Sequence, residues 1–157
     1  MTLPPARERN VLLQTFIVDQ LAAALMAAHF ARGPLSPGDF ALASVIRIFG
    51  PITPTELAGM LGMAPTTLSS RLQRLESRKE IRRRRNPKDG RSYLIEATAL
   101  GRRRVERMFP AFRATLASIR RHLGEEATGE ILDGLARLEK GLRGALAEAR
   151  QGGARAA

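Results

Sequence analysis

The sequence predicts a mainly α-helical fold with a small β-hairpin wing: a winged helix-turn-helix plus a helical dimerisation region. Two short helical segments are joined by a tight turn, and a hairpin-like segment with a charged turn follows them directly. Long amphipathic segments lie before and after this unit. The expected organisation is an N-terminal helix within residues 1–34, a winged helix-turn-helix domain over 35–101, C-terminal helices over 102–150 and a disordered tail over 151–157.

Two helices are expected before the short pair. Residues from Arg7 to about Ala31 have helical apolar spacing and contain no helix breaker. The GPLSPGD stretch then interrupts this pattern. A second helix is predicted from Asp39 to Phe49, where Gly50 and Pro51 end it.

The first short helix has a sharp start signal. Thr53 supplies an N-cap, Pro54 a first-turn proline and Glu56 the acid three residues after the cap. We expect this helix to end near Gly62. After a short turn a second helix begins at Pro65, so the pair is typical of a helix-turn-helix.

The second short helix has one apolar and one polar face. Leu68, Leu72 and Leu75 form the stripe that is expected to be buried. Small side chains at the start of the other face would let the backbone approach base edges in the major groove, and arginines further on would reach guanine edges or the backbone. The candidate DNA-binding residues here are Pro65, Thr66, Thr67, Ser69, Ser70, Arg71 and Arg74. An ordinary amphipathic surface helix would show the same pattern.

The next segment predicts a β-hairpin with a cationic tip. Ile81–Arg85 and Ser92–Glu96 flank the turn formers of NPKDGR. A ribbon with four consecutive arginines cannot bury both faces, and a narrow cationic tip suits the negative potential of an A·T-rich minor groove. The candidate residues here are Arg84, Lys88, Gly90 and Arg91.

The positive charge of the chain is concentrated on these elements. Between Arg71 and Arg121 there are 17 Lys/Arg and 5 Asp/Glu, whereas the whole chain has 26 and 15 and a net charge of +11. Composition bias would scatter these arginines evenly, but the stretch from Leu123 to Arg150 has six acids and four bases. A basic patch on a helix-turn-helix and hairpin favours binding of double-stranded DNA.

Other function classes lack their characteristic residues. The chain has no Cys, and its two histidines, His29 and His122, lie far apart, so we expect no metal site and no cofactor. No phosphate loop and no His paired with a nearby acid and nucleophile are present, so an enzyme is not expected.

With 4% aromatic residues there is no stacking platform for RNA. We expect no apolar run to approach the roughly 20 residues of a membrane span, so the protein is expected to be soluble and cytoplasmic.

The order and spacing of these motifs resemble the MarR family of winged helix-turn-helix transcriptional regulators. The resemblance runs from about Leu35 to Gly101 and rests on ITPTELAGMLGMAPTTLSSRLQRLE, NPKDGRS and TALG. Asp89 and Arg91 match the Asp-x-Arg signature of the family's wing, and Thr98 begins its Thr-x-x-Gly motif. The resemblance thereby adds Asp89 to the candidate DNA-binding residues.

Membership of this bacterial family would imply a homodimeric regulator, usually a repressor, that binds a pseudo-palindromic operator. The resemblance implies that Arg91 enters the minor groove and that Asp89 steadies the wing. It also implies release of DNA by a small lipophilic or phenolic effector. A nonspecific architectural DNA-binding protein is the alternative, because the same helix and wing could contact the DNA backbone only.

Three residues depart from the family pattern. Glu80 replaces the usual Gly at a position where a positive φ is often needed, which predicts strain or a different construction at the wing base. Ala64 stands where a capping Ser or Asp is usual, which leaves the following helix N-terminus free to bond a phosphate. Ala97 replaces a large aliphatic residue.

A two-fold interface is expected from the C-terminal half. One apolar stripe comprises Val105, Phe109, Phe112, Leu116, Ile119 and Leu123, and a second comprises Ile131, Leu135, Leu138, Leu142 and Ala145. With the first helix they offer more apolar face than the small domain can cover, so a homodimer is favoured over an intramolecular bundle. Pro110 is expected to kink or restart its helix.

Overall fold

The computed structural model describes residues 10–155 and confirms the predicted fold class, mainly helices with one β-hairpin. The elements are α1 (Val11–Phe30), α2 (Pro37–Phe49), α3 (Pro54–Leu61), α4 (Pro65–Ser77), β1 (Ile81–Arg85), β2 (Tyr93–Ala97), α5 (Ala99–Leu123) and α6 (Glu125–Arg155). The chain divides into two compact units, with the boundary between Thr115 and Leu116. The first unit contains the whole winged helix.

One hydrophobic core holds the winged helix together. Each element of the first unit contributes at least one buried apolar side chain. Those from α2 to α5 are Phe40, Leu42, Ala43 and Ile46 of α2, Leu57 of α3, Leu68, Leu72 and Leu75 of α4, Ile81 and Ile95 of the hairpin, and Val105 and Met108 of α5. The predicted leucine stripe of the second short helix is therefore confirmed. Burial of such side chains contributes about 1.5–3 kcal/mol each, so this core fixes the helices and the hairpin on a common support.

The hairpin is antiparallel and is anchored by a further bridge. Ile81 pairs with Ala97 and Arg85 with Tyr93. Ile52, just before α3, exchanges both backbone hydrogen bonds with Ile95, at 3.0 and 2.8 Å. The wing is thus tied through β2 to the segment that starts the helix-turn-helix.

Several predicted boundaries shift for local reasons. Helix α1 starts at Val11, because the Asn10 side chain accepts a hydrogen bond from the Leu13 N–H at 2.8 Å and so caps the helix. The predicted residues 7–9 of that helix lie outside the described residues. Helix α2 starts at Pro37 and not at Asp39, because Ser36 is its N-cap. The second strand begins at Tyr93, one residue later than predicted, because Ser92 bonds within the turn.

Two C-terminal expectations are corrected. Of the kink or restart expected at Pro110, the restart is wrong, because helix α5 runs continuously from Ala99 to Leu123. A proline removes one helical hydrogen bond, and here the buried Met108 and the half-buried Phe112 hold the helix on either side of it. Helix α6 continues to Arg155, so residues 151–155 of the predicted disordered tail are helical, since extending an existing helix needs no new nucleus. Residues 156–157 lie outside the described residues.

Helix α1 is long and apolar enough to cross a membrane, judged by length and composition. It has 20 residues, and Asp19 is its single Asp, Glu, Lys or Arg. The expectation that no apolar run approaches this length is therefore wrong. Its large apolar side chains are largely uncovered, with Leu12, Phe16 and Leu21 more than 60% exposed.

Candidate nucleic-acid interface

Helix α3 is held at its start by the predicted capping box. The Thr53 hydroxyl accepts a hydrogen bond from the Glu56 N–H at 3.2 Å, and the Glu56 carboxylate accepts one from the Thr53 N–H at 2.9 Å. The hydrogen bonds from the Thr53 side chain and backbone hold the pKa of Glu56 below its ordinary value. Gly62 ends the helix in the left-handed conformation with φ of 63°, which turns the chain towards α4.

Helix α4 presents the polar face that its sequence predicted. The small residues Pro65, Thr66, Thr67, Ser69 and Ser70 are all exposed, whereas the leucines opposite them are buried. Ala64 is the N-cap and makes no side-chain hydrogen bond. The first N–H groups of α4 are therefore available to an anion, and the helix dipole favours negative charge there.

The two arginines of α4, predicted to reach DNA, are both partly engaged by α2. Arg71 is half-buried, and its guanidinium lies close to Gly38 of α2. Arg74 Nη2 lies 3.3 Å from Asp39 Oδ1, while 54% of the Arg74 side chain stays exposed. Asp39 was missed as part of the site, because only the fold brings it beside α4. Part of the positive charge of Arg74 is thus already neutralised.

The wing turn is fixed by its own side chains. Asn86 Oδ1 accepts a hydrogen bond from the Lys88 N–H at 3.0 Å, and Asn86 Nδ2 donates to Ser92 Oγ at 2.7 Å. Asp89 Oδ1 accepts from the Arg91 N–H at 3.0 Å. These Asx-type bonds hold the turn in a defined shape, so the backbone of Arg91 is positioned directly by the carboxylate of Asp89.

The arginines of the hairpin fall into two sets. Arg82 pairs with Glu96, and Arg83 pairs with Glu76 at 3.0 Å and lies over the Tyr93 ring at 4.6 Å. Within residues 10–155, the exposed cations that have no ion pair on the wing are Arg84, Arg85, Lys88 and Arg91. Gly90, at the tip between them, is exposed as well. Arg85 was missing from the candidate residues, because the run of arginines gives no sign of which members are paired.

The wing base is built differently from the family pattern, in which a glycine stands at the position of Glu80. The positive φ, 58°, belongs to Lys79. The Lys79 N–H donates to the Glu76 carbonyl and the Glu80 N–H to the Leu75 carbonyl, the pattern of a Schellman motif with its left-handed residue at Lys79. Glu80 itself is buried, 1% exposed, and binds Arg78 and Arg104. Of the two outcomes expected here, the different construction is confirmed, because the positive φ falls on Lys79 and not on Glu80. The Glu80 side chain has a separate role.

The start of α5 explains the Thr-x-x-Gly motif physically. Thr98 Oγ1 accepts a hydrogen bond from the Gly101 N–H at 3.0 Å and donates to the carbonyl of Lys79 at 2.7 Å. A Cβ atom at Gly101 would lie 1.9 Å from the Glu80 carbonyl oxygen. Only glycine therefore allows α5 to pack against the loop between α4 and β1.

The two histidines are accounted for by local hydrogen bonds. His29 Nδ1 lies 2.6 Å from the hydroxyl of the buried Thr115, and His122 Nδ1 lies 2.8 Å from the Ser118 carbonyl. Each histidine therefore has a local hydrogen-bonding contact within the described residues.

Comparison with known proteins identifies the same family as the motifs. Residues 28–92 match the MarR family. This segment includes α2, α3, α4 and β1 with the wing turn. The resemblance stated from the sequence is thus confirmed over the helix-turn-helix and most of the wing. A search of curated proteins found no match.

Solved structures share the fold of nearly the whole chain. A probable transcriptional regulator from Pseudomonas aeruginosa is 25% identical with a TM-score of 0.74, covering 83% of this chain and 98% of that one. The S. aureus MepR–DNA complex is 18% identical with a TM-score of 0.74, covering 85% and 99%. A mutant E. coli MarR complexed with operator DNA is 23% identical with a TM-score of 0.75, covering 82% and 94%.

Proposed function

We propose that this chain, which matches the MarR family over residues 28–92, is a sequence-specific DNA-binding transcriptional regulator that represses genes in the cytoplasm. One observation carries the proposal. A single hydrophobic core holds both an exposed helix face of small residues and a wing with unpaired cations. Simultaneous reading of a major and a minor groove requires two such elements on one rigid support.

Helix α4 is proposed to enter the major groove with its N-terminal half. The exposed hydroxyls of Thr66, Thr67 and Ser69 would bond bases or phosphates, and the uncapped N–H groups after Ala64 would bond a phosphate oxygen. Arg74 would reach DNA by exchanging its contact with Asp39 for one with a phosphate or a guanine. The distribution of exposed and paired groups on α4 supports this orientation.

The wing is proposed to enter the adjacent minor groove through Arg91. The hydrogen bond from the Arg91 N–H to Asp89 supports the steadying role of Asp89. Lys88 and Arg84 are exposed and would contact phosphates beside the groove, while Gly90 keeps the tip narrow. Binding should weaken with salt, since log affinity falls by about 0.9 for each neutralised phosphate.

A homodimer is part of the proposal. Helix α1 exposes Leu12 and Leu21, and helix α6 exposes Ile131, Leu135 and Leu142, at 40–66% of their surface. Rows of uncovered large apolar residues are unfavourable in water, and a second copy supplies a matching apolar surface. Two copies would space two α4 helices about one turn of DNA, roughly 34 Å, apart and read a pseudo-palindromic operator.

Release by a small lipophilic or phenolic effector is the finer part of the proposal. Phe40 packs edge-on against Phe30 and Phe109, with ring centroids 5.2 and 5.8 Å apart, and Arg47 lies over the Phe109 ring at 5.3 Å. Within the described chain, the buried Nε atom of Arg47, whose guanidinium lies over the Phe109 ring, has no hydrogen-bond partner. An aromatic ring beside an unsatisfied donor suits a ring that carries an oxygen substituent. Phenol and benzoate should therefore release bound DNA, whereas glycerol should not.

Selection of genomic fragments by the purified protein tests the proposal. A regulator enriches fragments that share a palindromic site, because paired α4 helices read two half-sites. The alternative, an architectural protein that contacts the backbone only, recovers fragments without a common sequence. Enrichment without a shared motif would therefore favour the alternative.

A further inference from the structure

Two buried carboxylates connect three helices of the winged helix. Asp39, 3% exposed, lies in the first turn of α2, and Glu80, 1% exposed, follows α4. Arg78, at the end of α4, donates from one Nη2 atom to Asp39 at 2.9 Å and to Glu80 at 3.1 Å. Arg104 of α5 donates to the other oxygen of Glu80. We call these four residues the carboxylate bridge, which joins α2, the end of α4 and α5.

The carboxylate bridge is better suited to orientation than to stability. Buried ion pairs contribute little net stability compared with apolar side chains of similar size, because desolvation offsets the attraction. Their geometry is directional, however, and removal of one partner leaves a buried charge uncompensated. The Glu80 backbone is held as well, because its carbonyl accepts a hydrogen bond from the Thr98 N–H at 3.0 Å and shares the Thr98 hydroxyl proton, at 3.1 Å, with the Lys79 carbonyl. Glu80 therefore fixes α5 relative to α4 through both its side chain and its backbone.

The carboxylate bridge also reaches the surface proposed to meet DNA. Arg74, on the exposed side of α4, contacts the same Asp39 carboxylate that binds Arg78. A shift of Arg104 with α5 would move Glu80, and through Arg78 it would move the end of α4. The contacts are continuous from α5 to the face that carries the candidate base-reading residues.

We propose that Glu80 is a positioning residue for DNA recognition, which sets the angle of α4 against α5 through Arg78 and Arg104. This inference rests on the proposed function, because it explains how α4 is oriented for binding to the major groove. It assigns to Glu80 a role in sequence discrimination that does not require contact with DNA. It also gives α5 a route by which its own displacement changes the orientation of α4.

A distance measurement tests the positioning role without DNA. The chain has no Cys, so nitroxide labels can be attached at Gln73→Cys on α4 and Arg107→Cys on α5, both exposed positions. Pulsed EPR on labelled protein diluted with unlabelled protein gives the distance distribution within one chain. We expect Glu80→Gln to shift or broaden it. Glu139→Gln, which removes an exposed carboxylate paired with Arg143, is the matched control and should leave it unchanged.

Binding to a selected operator and to a random duplex provides the second measurement. We expect Glu80→Gln to reduce the ratio of operator affinity to random-duplex affinity by about tenfold, because a change in the orientation of α4 removes base contacts. The affinity for random duplex should change by less than about twofold, because the cations that contact phosphates remain. A purely structural role would leave this ratio unchanged in protein that is still folded.

Arg104→Gln keeps the proposal testable if Glu80→Gln does not fold. The Arg104 side chain is 31% exposed, and its loss leaves Glu80 bound to Arg78, so Arg104→Gln should destabilise the fold less than Glu80→Gln. It should change the distance between the two labels, and the ratio of operator to random-duplex affinity, in the same direction as Glu80→Gln. An unchanged distance distribution in the folded variants would overturn the positioning role. A wild-type affinity ratio near one would instead contradict the proposed function, and the distance measurement would still decide the role of Glu80.

Discussion

At the scale of single residues, substitution of Arg91 tests directly whether the wing contacts DNA. Its side chain is open to solvent, and its backbone N–H is held by Asp89. Arg91→Ala should weaken operator binding several-fold, because a cation in the minor groove is lost, while dimerisation and thermal stability stay intact. Arg137→Ala, an exposed arginine of α6, removes the same charge and is the control. Equal affinity of wild type and Arg91→Ala, measured by fluorescence anisotropy, would refute the assignment.

The buried carboxylate of Asp39 should make the stability of the fold depend on pH. Burial alone would raise the pKa of Asp39, but hydrogen bonds from Arg78 and Ser36 and the charges of Arg74 and Arg78 outweigh it, so the pKa lies below its ordinary value of 3.8. The unfolded chain therefore binds this proton more readily. The stabilisation is complete above the unfolded pKa and is lost as pH falls through the folded pKa.

Thermal unfolding of Asp39→Asn against wild type measures this effect. The difference in Tm should be large near about pH 6 and should begin to shrink as the pH falls below about 4. It should be smallest below the folded pKa of Asp39, where both proteins carry a neutral side chain. Asp133→Asn, at an exposed position of α6, should show no such trend. A Tm difference for Asp39→Asn that stays constant down to acid pH would contradict the ion-pair account.

At the scale of elements, the packing of α5 on the wing base depends on Gly101. An added methyl group would clash with the Glu80 carbonyl. Gly101→Ala should lower the free energy of unfolding by about 1–3 kcal/mol, the usual penalty of overpacking. Gly129→Ala, in the second turn of α6 with open space around it, should instead raise that free energy by about 0.5–1 kcal/mol. Urea unfolding measures the free energy of unfolding of both variants. Equal changes in the two would show that Gly101 does not lie in close contact with the Glu80 carbonyl.

Elements were predictable where their signals are local in sequence. Thr53, Pro54 and Glu56 mark the start of α3, and the alternation of leucines with small polar residues marks the two faces of α4. The carboxylate bridge was not predictable, because Asp39 and Arg78 lie 39 residues apart and neither belongs to a periodic pattern. For the same reason the sequence could not tell Arg82 and Arg83, which are paired, from Arg84, Arg85 and Arg91, which have no ion pair in the part of the chain that the structure describes.

At the scale of the whole molecule, the uncovered apolar face of α6 predicts the oligomeric state. Leu135 is 50% exposed and lies in the stripe proposed to meet a second copy. Leu135→Glu should convert a dimer into a monomer in sedimentation equilibrium, because burying an unpaired charge is strongly unfavourable. Ala136→Glu introduces the same charge at the neighbouring exposed position outside the stripe and should remain dimeric. A dimeric Leu135→Glu would exclude this face from the interface.

Helix α4 and the wing are proposed to recognise a DNA sequence together. The ratio of affinities for a genomically selected duplex and for a scrambled duplex of the same length and composition, at physiological salt, tests this recognition. A regulator of this kind should prefer the selected duplex by about 10³-fold or more. A ratio near one would contradict sequence-specific recognition and would identify the chain as a backbone-binding protein.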